Sequence, residues 1–204
     1  MKKPTHDDAT ELISKVLLPF YSIERDMLVP TPEKRTRSEN DAEHSWSVAM
    51  LACSLARHID PTLDVGLVSQ FAIFHDLVEI YASDTSVWAS DQALNAKEQN
   101  EQAALIKLKA NYKHFPWLVD TVEAYEKQDT NEALYVRAID KYIALVVRFL
   151  DGGEFFHSQG ITKAMFDKKL AIHRKKAHGH PGVAEYYEKL RAEYETHPEH
   201  FYQK

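Results

Sequence analysis

His75 and Asp76 stand side by side inside the apolar run from Leu67 to Ile80, where an ionisable group is costly to bury without compensation. The spacing predicts a helix over about Leu63 to Ala82. On it His75 continues the stripe of Val68, Phe71 and Ala72, and Glu79 follows one turn later. Two other apolar stripes are interrupted in the same way. His44 shares a face with Val48, Leu51 and Leu55, and Asp140 falls between Val136 and Ile143 on a stripe that reaches Val147. Each of these groups taken alone has an ordinary reading: a buried histidine is commonly a hydrogen-bonded core residue, and Asp140 beside Lys141 would pass for a surface pair. Taken together they place two imidazoles and two carboxylates on three inward faces. One divalent cation compensates all four, and a mixed nitrogen and oxygen set suits Mn, Fe, Co, Ni or Zn with positions left open for water and substrate. The ligand set contains no thiolate, which speaks against a closed structural zinc site.

The rest of the chain predicts an all-α fold in a single domain. With only 6 glycines among 204 residues, long 3.6-periodic segments are joined by loops, and no segment reads as a strand. A first helix is expected over Asp8 to Tyr21. Met27 to Glu39, with Pro30, Pro32 and the basic residues Lys34, Arg35 and Arg37, reads as a loop. Asn40 with Glu43 three residues on is a capping-box variant that starts a helix running to Ile59. Further helices are expected from Leu94 to Tyr112, Trp117 to Lys127, Asn131 to Leu150 (stopped by Asp151-Gly152-Gly153), Thr162 to Ala177 and Val183 to Tyr194.

A net charge of −6 argues against a chain that wraps nucleic acid or coats an anionic membrane through a general basic surface. A small-molecule partner is favoured. The single cysteine, Cys53, excludes an intramolecular disulfide framework and is expected in the core. No membrane-spanning run of about 20 apolar residues is apparent, and the first ten residues are polar. The expected location is cytoplasmic.

Four segments together resemble the HD-domain metal-dependent phosphohydrolases: Arg37 to Trp46, Ile73 to Ile80, Asp84-Thr85 and Ala138 to Lys141. Within that superfamily they look most like the branch of 5′-deoxynucleotidases and related HD hydrolases. The likeness implies one HD-type helical bundle over residues 1–204, with its core motifs in about 35–150 and C-terminal helices in about 161–196. It implies metal ligation by His44, His75, Asp76 and Asp140, with one divalent ion (Mn, Co, Fe, Ni, Zn or Mg). Glu79 matches the family's acid four residues beyond the histidine, as catalytic acid/base or as a group orienting a ligand imidazole. Asp84 matches its following aspartate, a sugar-binding or ligand-orienting residue, and its bland reading is a loop cap. Arg37, with Arg35, would supply phosphate recognition, and Lys141 would touch substrate. For Arg35 a solvated loop fits equally, and the Lys141 direction differs by about 100° from that of Asp140.

Two departures stand out. Ser83 occupies a position where relatives commonly have Gly. Val29-Pro30 falls where the nucleotidases carry an Arg-Trp pair, about fifteen residues before the first ligand. The expected activity is hydrolysis of a small phosphate ester, foremost a nucleoside (deoxy)5′-monophosphate, and a homodimer is compatible with it. A non-catalytic nucleotide- or metal-binding module and an HD phosphodiesterase are the rival readings. His178 and His180, around Gly179, form no ligand pair within one element.

Overall fold

The computed structural model describes residues 3–29 and 37–203. The chain begins with helix α1 (His6–Leu12), capped by Thr5, and continues without a break through a π-helical turn (Ile13–Leu17) into α2 (Leu18–Phe20). Strand β1 (Glu24–Val29) and strand β2 (Arg37–Asn40) then pair antiparallel. This hairpin corrects the strand-free expectation. Leu28 faces Ser38 and Val29 faces Arg37, but Glu24 faces Asn40. The extra β1 residues between those pairs form a bulge that re-aims Arg25 and Asp26. The polar composition of both segments, Glu-Arg-Asp and Arg-Ser-Glu-Asn, hides the strands from a hydrophobic pattern.

Helix α3 (Asp41–Ile59) starts where the capping box places it. The Asn40 side chain accepts from the Glu43 amide, and the Glu43 carboxylate accepts from the Asn40 amide. Helix α4 (Val65–Phe74), capped by Asp64, stops one residue before His75. A turn over 75–78 then leads to the short α5 (Glu79–Ala82), so the helix expected as one rod is two. The periodicity had no reason to reveal the break, because the inward positions Val68, Phe71, Ala72, His75 and Glu79 stay in phase and all are buried. By length and composition alone Val65–Ala82 could cross a membrane, with a mean hydropathy of 1.2 over 18 residues. Its broken path and its buried imidazole and carboxylate belong to a core segment.

Helices α6 (Asp91–Asn111) and α7 (Pro116–Lys127) follow, then α8 (Asn131–Leu150), capped by Thr130. Helix α8 is the central rod, packed on α3, α4, α10 and α11. Tyr135 is fully buried there and donates to the Ala52 carbonyl at 2.8 Å, which satisfies its hydroxyl. Beyond Asp151, Gly153 has φ +87°, and a Cβ there would lie 2.2 Å from the His200 carbonyl oxygen. The stop signal therefore also lets the C-terminal segment cross the turn. Helices α9 (Glu154–Ser158), α10 (Lys163–Ala177) and α11 (Pro181–Glu195) and a 3₁₀ turn (Pro198–His200) complete the bundle. One core patch joins α3, α4 and α8, a second gathers α8 to α11, and a third joins the N-terminal helices to α5, α6 and α7. Cys53 is half-buried against the first.

Candidate metal centre

The first turns of α3, the C-terminal end of α4 and the middle of α8 meet at one point, which brings His44, His75, Asp76 and Asp140 together. The His44 and His75 rings lie 5.4 Å apart. His44 Nε2 is 3.1 Å from Asp140 Oδ1 and 3.8 Å from Asp76 Oδ2, and His75 Nε2 is 3.1 Å from the same Asp76 oxygen. One donor atom from each of His44, His75 and Asp140 lies within 4.8 Å of the others, and the same holds for Asp41, Asp76 and Glu79. Asp76 joins the two groups.

The far edges of both rings are held. His75 Nδ1 donates to the Ala72 carbonyl at 2.8 Å, which leaves Nε2 facing the centre. That Nε2 is buried and makes no hydrogen bond; the Asp76 oxygen beside it is off the required direction. His44 Nδ1 meets Glu39 Oε2 at 3.2 Å, so β2 orients the second imidazole. Carboxylate or carbonyl on one ring nitrogen with the other aimed inward is the usual support of a metal-bound histidine. Two such nitrogens with two carboxylates suit a divalent cation, and the orphaned His75 Nε2 is a donor position that such an ion would satisfy.

The charges around this point are strongly coupled. Arg25 reaches in from the β1 bulge, its Nη1 donating at 2.8 Å to both Asp41 Oδ1 and Asp76 Oδ2. Its Nε is buried without a hydrogen bond. Glu79 is buried on α5, and burial together with the charges of Asp76, Asp41 and Asp84 pushes its carboxyl up to about 10. Burial and Asp76 likewise push Asp41 up to about 6 against the pull of Arg25. Burial opposes ionisation of Asp76 and Asp140 as well, yet His75 and Arg25 hold Asp76 below the usual carboxylate range, and Lys141 and His44 do so for Asp140. Burial and Arg25 disfavour a charged His44, but its hydrogen bond to Asp140 and the Glu39 carboxylate 3.2 Å from its Nδ1 outweigh them and push it up to about 9. A metal there must displace that proton.

The five residues expected at the centre of the site, His44, His75, Asp76, Asp140 and Glu79, converge. Asp84 lines the adjoining cavity with Arg25 and Lys97. Lys141 also reaches it, because its long side chain folds back to place Nζ 2.5 Å from Asp140 Oδ2. Arg37 does not. It is exposed and forms a two-pronged pair with Glu43, both contacts 2.7 Å. Arg35 lies outside the described residues. Reasoning from sequence missed Arg25, Glu39, Asp41 and Lys97. Glu39 and Asp41 flank the capping Asn40 and look like cap acids; nothing in the spacing singles out Arg25.

A helical bundle that gathers paired histidines and aspartates around one buried point is the framework of a metal-binding domain. The chain belongs to the HD domain family, whose model matches residues 24–197. It is also similar to a solved structure described as a predicted metal-dependent phosphohydrolase from Magnetospirillum magnetotacticum MS-1. The two share 26% identity over 98% of each chain, with a TM-score of 0.74. A conserved hypothetical protein from Pyrococcus furiosus shares the fold at 22% identity and a TM-score of 0.61, over 90% of this chain and 99% of that one. No curated protein matches the chain.

Proposed function

We propose that this HD domain protein is a metal-dependent phosphohydrolase whose substrate is a nucleoside 5′-phosphate, cleaved as a monoester by water. The observation that carries the reading is the arrangement around Asp76 Oδ2: the His75 and His44 Nε2 atoms lie 3.1 and 3.8 Å from it, and the Arg25 guanidinium is anchored on the same oxygen. Cation site and phosphate-binding group thus adjoin. The similarity to a protein described as a predicted metal-dependent phosphohydrolase supports the same reading.

His44, His75, Asp76 and Asp140 would hold the ion, which supplies Lewis acidity toward a phosphoryl oxygen and a nearby water. Arg25 and Lys141 hold the phosphoryl oxygens, and Arg25 Nε, buried without a hydrogen bond and 3.8 Å from Glu39 Oε2, is a further donor for them. Arg25 takes the role first expected of Arg37. The raised carboxyl of Glu79 carries a proton at neutral pH, so it can give that proton to O5′ as the P–O5′ bond breaks. The proton shed by the attacking water then restores it, leaving nucleoside and inorganic phosphate. Asp84, at the cavity wall, would meet the sugar. Glu79 and Asp84 beside the ligands favour turnover over a binding-only module.

The test is phosphate release from a nucleotide panel with Mn²⁺, Co²⁺ or Mg²⁺ added, beside bis(p-nitrophenyl) phosphate as a diester. Metal-dependent monoester cleavage that a chelator abolishes is expected. Cleavage of the diester alone, or of neither, would overturn the proposal.

A further inference from the structure

Two cavities open beside the metal centre and share a wall. One, of about 340 Å³, reaches from Arg25 and Asp84 to Arg148 and His173; the other, of about 670 Å³, passes His75, Asp76 and Tyr125. Lys97, Lys141 and Lys176, with Asp140, line both. The smaller cavity is basic in an acidic protein, with seven Lys and Arg residues against three Asp on its wall. The larger one is balanced, with five basic residues against six acidic.

Two of the three shared cations, and Arg148 in the smaller cavity, answer to a carboxylate. Lys141 pairs with Asp140 at 2.5 Å, Lys97 with Glu101 at 3.4 Å, and Arg148 with Asp26 at 2.6 Å. Lys176 is the exception. It is half-buried on α10, and among the described residues nothing forms an ion pair or hydrogen bond with its ammonium group. Burial and the charges of Lys141, Arg137 and Lys97, against the single opposing charge of Asp140, pull it down to about 8. His173, in the same cavity, is held down to about 3 by burial and Lys141, so its imidazole stays neutral. A cation sunk among cations beside an open cavity is stabilised only when an anion enters.

Resting on the phosphohydrolase reading above, we propose that the seam between the cavities, with Lys176 as its principal contact, binds a second phosphate of the substrate. The substrate is then a nucleoside 5′-phosphate that carries a further phosphate on its sugar. The 5′ group is hydrolysed at the metal centre, and the other is held between Lys176 and Lys97.

The experiment compares kcat/KM for adenosine 3′,5′-bisphosphate and adenosine 5′-monophosphate in the wild type, Lys176→Gln and Lys176→Arg. Binding of pyrophosphate and of inorganic phosphate is measured by calorimetry on the same metal-loaded proteins. The wild type should favour the bisphosphate, Lys176→Gln should lower that ratio about 10-fold, the worth of one charge-assisted hydrogen bond, and Lys176→Arg should restore most of it. An equal ratio in wild type and Lys176→Gln would overturn the inference. So would a loss of inorganic phosphate binding as large as that of pyrophosphate, since Lys176 would then hold the released product. Should neither nucleotide be hydrolysed, the phosphohydrolase reading fails by itself, and pyrophosphate binding decides the seam. Weaker binding in Lys176→Gln keeps the second subsite, and equal binding removes it.

Discussion

Arg25 Nη1 lies 2.8 Å from Asp76 Oδ2, so a residue on a strand bulge neutralises the carboxylate that links the two halves of the candidate metal centre. The same nitrogen holds Asp41 at 2.8 Å. Arg25 therefore has a structural part, compensating buried acids, and a proposed functional part, binding phosphate.

Replacing Arg25 should separate the two. Arg25→Ala strands Asp41 and Asp76, and should lower the stability of the metal-free protein by about 3 kcal/mol. A saturating divalent cation should return part of that, because it compensates the same carboxylates. With metal present, phosphate release should still fall about 10²-fold, and Arg25→Lys should recover only part, since it lacks the guanidinium fork. Urea unfolding with and without metal, beside kcat/KM, checks this. Full activity in metal-loaded Arg25→Ala would remove the guanidinium from catalysis.

Glu39 holds His44 Nδ1 from β2. Glu39→Ala should weaken metal binding 10- to 100-fold, the usual worth of an orienting partner of a ligand histidine. Glu39→Gln, whose amide oxygen can still accept, should lose less. Titration with a competing chelator measures both, and unchanged affinity in the alanine variant would make the contact incidental.

Ser83 closes α5 at φ +61°, where L side chains are strained and glycine is not. Ser83→Gly should stabilise the fold by about 1 kcal/mol, a rise in Tm of about 3 °C. A drop in Tm would show that the serine hydroxyl offsets the strain.

Glu126 adds to the pH dependence that the raised Glu79, Asp41 and His44 also confer. Burial, then the charge of Glu101, pushes its carboxyl up to about 7. A folded-state value above the unfolded one means that the unfolded state releases its proton first. The protein is thus relatively most stable below about pH 4.5 with respect to this group, and stability is lost as pH rises through 7. Glu126→Gln should flatten the decline in Tm between pH 5 and 8 in metal-free protein. An unaltered slope would remove Glu126 from the groups that set it.

The parts of this fold that repeat at helical spacing were legible in the sequence. The capping box at Asn40 and Glu43 fixed the start of α3, and the stop at Asp151-Gly152-Gly153 fixed the end of α8. The stripes carrying His44, His75 and Asp140 told which faces turn inward. What could not be read depends on backbone geometry without a repeat. The β1 bulge brings Arg25 beside Asp76 across 51 residues of sequence, and an ungapped count to Val29 passes over it. Glu39 looked like a loop acid because β2 is four polar residues. Arg37 looked like a phosphate ligand because its neighbour across the first turn of α3, Glu43, was already assigned to the cap; the carboxylate serves both.

The central claim is that His44, His75, Asp76 and Asp140 hold one divalent ion on which phosphate release depends. Elemental analysis of wild type and Asp76→Asn after dialysis against Mn²⁺ tests it most directly, with phosphate release assayed on the same samples. About one ion per wild-type chain is predicted, with metal and activity lost together in Asp76→Asn. An Asp76→Asn protein that kept both a full complement of metal and wild-type turnover would contradict it.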